Sequence, residues 1–361
     1  MNSSPAINAA LSAAGAGGTV YLCRSTVYPI QDTIQFTHAD QTLLTEGFDT
    51  GNIVLSERAW LDINSSALTT AVRGHDVPGA HLKWIQVNGR RGRYGQGNGA
   101  LIDFGGTTTV SATRSQLIHG GYFFDARGWS VLYVSAGELG CYGVEVSNND
   151  VNTAGKPQAG AYADGISYQC RDGFVTGNYI RDVTDGGIVV FGAPGSVIAD
   201  NRIEAIAQPM LGGINLVDDG PFVTENGDGD YRGTRIHHNW VSATSKFIHV
   251  GIGSGPYVWD FNQNRTPACS MNRRNDGAYI HENTVTGAYM GYGYAVDGVK
   301  NWTIAADNVD TATHVYTARY TGCTGLNAIP GRFQKYSPRS QGTFLPPFTE
   351  AILDSAVSVT Y

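Results

Sequence analysis

The sequence predicts an all-β chain wound as a single-stranded, right-handed parallel β-helix with an N-terminal capping helix. Three observations predict it. A phrase of the form apolar–x–x–Asn–x–apolar recurs along the chain. A second phrase, built around Gly-Ile, follows several copies of the first. The 361 residues include 47 Gly and 19 Tyr but only 15% charged residues, a composition of strands and tight turns.

The opening MNSSPAINAALSAAGAGG reads as a cap over residues 1–18. Ser4 is the expected N-cap, Pro5 the first helical residue, and Ile7, Ala10 and Leu11 the buried face, with Gly15 ending the helix. Coils are expected over 19–323. The first phrase appears at Val146–Val151, Val175–Ile180, Ile198–Ile203, Ile236–Val241 and Ile280–Val285, with a looser copy at Ile304–Val309 and an earlier one, Gly121 in the Asn slot, at Ile118–Phe123. Counted from Asn149 to Asp307, the intervals are 29, 23, 38, 44 and 24 residues. Periods of this size mark solenoids, propellers or arrays, and the short alternating runs are strand-like. An Asn at each bend tolerates a left-handed backbone and can bond along the stack, so one Asn per coil predicts a ladder. Parallel crossovers predict right-handed winding.

The second phrase appears as Ala163–Tyr168, Asp185–Val190, Leu211–Leu216 and Ser245–Val250, with an echo at Tyr292–Val296. It places Ile166, Ile188, Ile214 and Ile248 in one inward column, and Ser167, Val189, Asn215 and His249 one step later on the outer face. The longer intervals hold insertions near 217–234 and 251–276, which would wall a binding face. From 324 to 361 the signal fades into an irregular tail. All of this is read as one domain, 1–361.

A net charge of −7 gives no basic face for nucleic acid, and only GRRGR at Gly89–Arg93 is locally basic. No run reaches the ~20 apolar residues of a membrane span. Five cysteines (23, 141, 170, 269, 323) are too few for a dense disulfide framework; Cys141 and Cys170 lie one coil apart, within pairing range, though spacing does not fix connectivity. The opening lacks the basic region and apolar core of a secretory signal, which fits an intracellular protein or one whose leader Met1 replaces. Asn-x-Ser/Thr sequons at Asn2, Asn64, Asn264 and Asn301 favour an extracellular glycoprotein, and a capped solenoid favours a monomer.

The opening helix followed by GGTVYL, the Asn phrases and the DGI/GGI phrases resemble the pectin-lyase-like superfamily of right-handed parallel β-helices over roughly residues 5–320. The phrases RGWS (Arg127–Ser130), ADGIS (Ala163–Ser167) and FGAPGS (Phe191–Ser196) resemble fungal β-helix proteins of secreted type. The resemblance implies carbohydrate work: hydrolysis, lyase cleavage or epimerisation of polysaccharides. Against polygalacturonase-type hydrolases, Asp164 stands near the first acidic motif, Asp185 near the second, and His249 near the Gly-His-Gly. The Asn and Thr of the first motif, the second Asp of the pair and the Arg-Ile-Lys are missing, so pectin itself is not the implied substrate. Calcium-binding acidic clusters of pectate lyases are not recognisable.

The residues suggest acid–base glycoside hydrolysis. Asp164 and Asp185, on consecutive copies of the phrase, would form a carboxylate pair ~5 Å apart in backbone, enough to hold one protonated beside an ionised partner. Asp-Gly is equally a turn former. Asp218, where the chain leaves the coil, is a third carboxylate, and His249 an assisting proton carrier or hydroxyl ligand. Substrate contacts are expected from Asn215, Lys246, Arg127, Trp129, Glu138, Tyr168 and Tyr292, although Arg127 and Glu138 would also suit a buried ion pair and the aromatics a core. The expected partner is a carbohydrate. No cofactor or metal is assigned: His237 and His238 are neighbours whose side chains diverge on a regular strand and so cannot share an ion. Rival readings are a polysaccharide lyase, a glycan-binding protein without catalysis, and an intracellular isomerase or cyclase acting on a small molecule.

Overall fold

A strand buries its apolar set only if its neighbour stands in register, and here the repeated phrases pair in register. The computed structural model describes residues 2–47, 54–106, 113–137, 140–217, 229–258, 274–315, 331–335 and 340–350. The chain divides into two compact units, Met1–Ile180 and Arg181–Tyr361. In each, strands separated by a full coil pair in parallel along three long sheets, the architecture of a single-stranded right-handed parallel β-helix.

In the first unit the three sheets present three apolar columns. Leu43, Leu82, Ile118, Val146 and Val175 align on the first. Leu61, Val87, Phe123 and Val151 align on the second, and Val72, Ile102, Leu132 and Ile166 on the third. Every one is buried, and each is worth roughly 1.5–3 kcal/mol of transfer free energy. A disulfide joins Cys141 to Cys170 across 29 residues of chain. The second unit repeats the plan with Ile198, Ile236, Ile280 and Ile304, Ile203, Val241 and Val285, and Ile188, Ile214, Ile252 and Tyr294.

The ladder forms, with two corrections. Each Asn side chain accepts the backbone N–H of the coil before it: Gly121 N to Asn149 Oδ1 at 2.9 Å and Asn149 N to Asn178 Oδ1 at 3.1 Å in the first unit. In the second, Asn201 N bonds Asn239 Oδ1 at 3.1 Å and Asn239 N bonds Asn283 Oδ1 at 3.1 Å. The left-handed residue is not the Asn but the one before it, as at Asn148, Gly177, Asp200, His238 and Glu282. That twist turns the Asn side chain inward to the ladder. The last rung is Asn308, not Asp307: Asn283 N donates to Asn308 Oδ1 at 3.2 Å, while Asp307 takes the N–H of Glu282.

The Gly-Gly-Ile phrase also has a packing cause. A methyl added at Gly213 would lie 2.5 Å from the Gly251 carbonyl oxygen and 2.5 Å from Val241 Cγ1. Gly187 and Gly251 face Ile203 and Val285 in the same way. The missing side chains let the third sheet approach the Ile203–Val241–Val285 column of the second.

Three further expectations change. The helix spans Ser4–Ala14 with Ser3 at the cap, Gly15 after it, and Ile7 and Leu11 buried, whereas Ala10 is exposed. Ser4 instead accepts the N–H groups of Gln31 and Asp32 at 3.1 Å, bonding the cap to the first coils. The stretch after 324 is not wholly irregular: Phe333–Lys335, Ser340–Phe344 and Thr349–Glu350 extend the sheets of the second unit. Their signal is aromatic, with Phe333 stacked on Tyr294 at 4.9 Å, so the Asn and Ile phrases do not report it. Of the insertions, residues 218–228 and 259–273 lie outside the described residues, while Asp230–His237 and Ile248–Ser254 are strands.

Removing the Asn239 side chain strands buried partners on both neighbouring coils. Asn239→Ala is expected to lower unfolding stability in urea by roughly 2–4 kcal/mol. Gly213→Ala should cost roughly 1–3 kcal/mol by overpacking.

Candidate functional site

In the second unit the strand Gly186–Phe191 follows Asp185, Met210–Val217 carries Asn215, and Ile248–Ser254 carries His249. Gly186 pairs with Gly212, and Gly212 with Val250. The preceding residues, Asp185, Leu211 and His249, therefore share one register position on successive strands. Asn215 lies instead between Val189 and Gly253. This corrects the predicted alignment, which set Ile248 with Ile214 and His249 beside Asn215. Ile248, Val250 and Ile252 alternate along one buried strand, so the sequence pattern survives a slide of four residues and does not fix the register.

Burial also differs from expectation. Ser167, Val189, Asn215 and His249 were expected on an open face, yet all are buried, Asn215 and His249 at 3% exposure. A methyl on Gly186 would lie 2.7 Å from Asn215 Nδ2, so the glycine after Asp185 is what admits the Asn215 amide. The His249 ring packs against Phe247 at 5.6 Å and Tyr292 at 5.9 Å. Among the described residues, neither of its nitrogens has a hydrogen-bond partner, and neither does Asn215 Oδ1.

Enclosure sets the charges. Burial pushes the His249 imidazole down to about 3, so it is neutral at ordinary pH and can bond a hydroxyl but not deliver a proton from an imidazolium. Asp185 keeps part of its surface exposed, yet its carboxyl is densely surrounded, and that desolvation pushes it up to about 6. The position thus holds a carboxyl that titrates near neutrality and, at the same register two strands on, a neutral imidazole. Such a set can donate a proton and orient hydroxyls. Tyr292 is buried, and Lys246 is exposed.

In the first unit, Asp164 is 7% exposed. Its Oδ2 lies 2.7 Å from Ser167 Oγ, which is also 2.9 Å from Ser130 Oγ. Tyr133 stands between Asp103 and Ser167 in register and packs edge-on against Trp129 at 4.8 Å. Trp129 is 38% exposed and presents an aromatic surface. Asp103 is gripped by His75 Nε2 at 2.5 Å and Arg73 Nε at 3.4 Å. Sequence reasoning missed this triad. Its signal was faint: the strand Val72–Arg73 ends before His75, which lies in the turn that follows, so no strand period marks the pair.

Two expected substrate contacts are structural. Arg127 is buried and donates to the carbonyls of Leu68 at 2.8 Å and Gly95 at 3.0 Å, clamping two loops, with no ion pair among the described residues. Tyr168 is fully buried, its hydroxyl donating to Val144 O at 2.9 Å. Asp218 and Glu138 lie outside the described residues. Among the described residues, His281, Glu282 and Asp307 in the second unit have ligand atoms within 4.8 Å of one another, close enough to share an ion.

The buried imidazole should weaken the fold in acid. Folded His249 stays neutral down to about 3, while the unfolded residue takes its proton near 6.5. Stability is therefore lost as pH falls below 6.5, by up to roughly 1.4 kcal/mol per pH unit. Asp185 acts oppositely: its raised carboxyl loses stability as pH rises toward about 6. His249→Phe removes the first effect alone. Its stability gain over the parent, measured by urea unfolding, should widen from pH 7 to pH 5; a constant gap would show that His249 titrates normally.

No protein-family model matches the chain, and no protein of curated function matches it. Solved structures do. A surface protein and adhesin of Streptococcus pneumoniae, PfbA, aligns at 10% identity over 88% of this chain and 95% of its own, with a TM-score of 0.53. A second structure of PfbA gives 11% identity, 88% and 87% coverage and a TM-score of 0.52. The tailspike protein of E. coli bacteriophage HK620, solved with a pentasaccharide, aligns at 12% identity over 88% of this chain and 63% of its own, with a TM-score of 0.53. At such identities the likeness is one of fold. Paired in-register coils, a ladder of asparagines and these neighbours together make the chain, by fold, a right-handed parallel β-helix.

Proposed function

We propose that the protein is a carbohydrate-active enzyme that hydrolyses a glycosidic bond, with Asp185 as general acid. One observation carries the reading: a carboxyl pushed up to about 6 by its surroundings, still part-exposed. A glycosidase acid must keep its proton near working pH, and desolvation is the usual means. Asp185 protonates the leaving oxygen; His249 and Asn215, whose buried polar atoms lack partners among the described residues, bond sugar hydroxyls. The second carboxylate that the chemistry requires falls to Asp218, in the same unit. Lys246 faces solvent and is suited to an acidic sugar. The HK620 tailspike's pentasaccharide supports a glycan as partner, since that protein shares the fold. An extracellular site of action agrees with the PfbA surface adhesin and with the four sequons.

A second reading, glycan binding without turnover, is favoured by the exposed Trp129 face against Tyr133, beside the Arg73–Asp103–His75 group. Aromatic faces stack on sugars without any chemistry.

Incubation with a glycan panel in heavy-oxygen water separates the readings. Hydrolysis places the label at a new reducing end; a lyase gives unlabelled products with a UV-absorbing unsaturated uronate; a binding protein gives saturable binding and no product. Asp185→Asn should lower the hydrolytic rate by roughly 10²–10⁴-fold. The parent's rate should fall as pH rises through about 6, where Asp185 loses its proton. Full activity in Asp185→Asn removes it from the mechanism.

A further inference from the structure

The turn before the ladder asparagines of the second unit gathers imidazoles. His237 and His281 pair in register on the first sheet and stack with ring centroids 4.8 Å apart. Tyr279 stacks on His281 at 4.3 Å. His238 and Glu282, one residue on, both have left-handed backbones, φ 54 in each case. That twist defeats the strand rule that neighbouring side chains diverge. His237 Nδ1 and His238 Nδ1 meet at 2.8 Å. Glu282 Oε2 lies 2.9 Å from His281 Nδ1 and 3.4 Å from His238 Nε2. Asp307, on the following coil, accepts the Glu282 N–H at 3.0 Å.

We propose that His238, His281, Glu282 and Asp307 form a binding site for a divalent transition-metal ion of the zinc class, positioned by His237. Two observations carry it independently. The first is spacing: three of the groups have ligand atoms within 4.8 Å of one another. The two distances from Glu282 Oε2 also bracket the roughly 3.3 Å edge of a tetrahedron with ~2.0–2.1 Å metal–ligand bonds. The second is the His237–His238 contact. Two neutral imidazoles bond only if one ring nitrogen donates and the other accepts. When His238 Nδ1 carries the proton, its Nε2 is left with a free lone pair on the Glu282 side. A ligating histidine is ordinarily held by such a bond from its other nitrogen. Mixed imidazole and carboxylate donors suit zinc-class ions rather than calcium or magnesium, which prefer oxygen alone. His238, His281 with Glu282, and Asp307 belong to three successive coils, so the ion would staple the stack where the coil turns.

The test uses the full chain without a polyhistidine tag, stripped with chelator and titrated with Zn²⁺ by calorimetry, with thermal melting in parallel. One equivalent should bind saturably and raise the melting temperature. His281→Ala and Glu282→Gln should each weaken binding by about tenfold to a hundredfold, and His237→Ala by about tenfold through loss of positioning. His238→Asn, whose side chain tolerates the left-handed backbone, should also weaken it about tenfold. The exposed His38→Ala, in the other unit, should leave binding unchanged. Absence of saturable binding, or binding undiminished in Glu282→Gln and His238→Asn, overturns the proposal. Those two exposed positions decide the matter should His281→Ala fail to fold.

Discussion

Register between successive coils is the constraint on which the rest of this molecule depends. A parallel strand has no partner within its own turn, so its N–H and C=O groups are satisfied only by the coil before and the coil after. The asparagine ladder extends that logic to the bend, where no strand ladder reaches. Asn239 accepts from Asn201 and donates to Ile198 O and Asn283 Oδ1, so one side chain serves three coils. A slip of one residue would break those bonds and reverse each apolar column.

Register also determines the chemistry available. It places Asp185 and His249 at one position, two strands apart, and leaves Asn215 on a different line. It encloses these polar groups without giving them all partners among the described residues. An unpartnered buried imidazole costs a few kcal/mol at most, which a solenoid with many fully buried Ile and Val side chains tolerates. Polar groups held at such a cost are commonly those a site requires, and the stability they forgo is the usual counterpart of function. The same turn geometry that builds the ladder forces His238 and Glu282 into left-handed backbones and so brings otherwise divergent side chains together.

The fold was largely legible in the sequence, because the ladder needs an Asn per coil and only a few residues fit the bend. Asn149, Asn178, Asn201, Asn239 and Asn283 stand where the phrase put them. Asn308 did not, since Asp307 also satisfies a loose pattern while only the neighbouring residue reaches the rung. The site was less legible. Ile248 and Ile252 are equivalent to any period-two reading, so the strand's register escaped it. Arg127 and Tyr168 have side chains suited to sugars, and only their carbonyl partners reveal a structural role. His237 and His238 were dismissed on a rule for regular strands that the left-handed φ at His238 overrides.

The proton held by Asp185 tests the central functional claim most directly, without any choice of substrate. Infrared difference spectra of the carboxyl band, taken between the parent and an Asp185→Asn variant across a pH series, report its titration alone. The account predicts a midpoint near 6. A midpoint near 3.8, that of an ordinary aspartate, would contradict it and leave no general acid at this position.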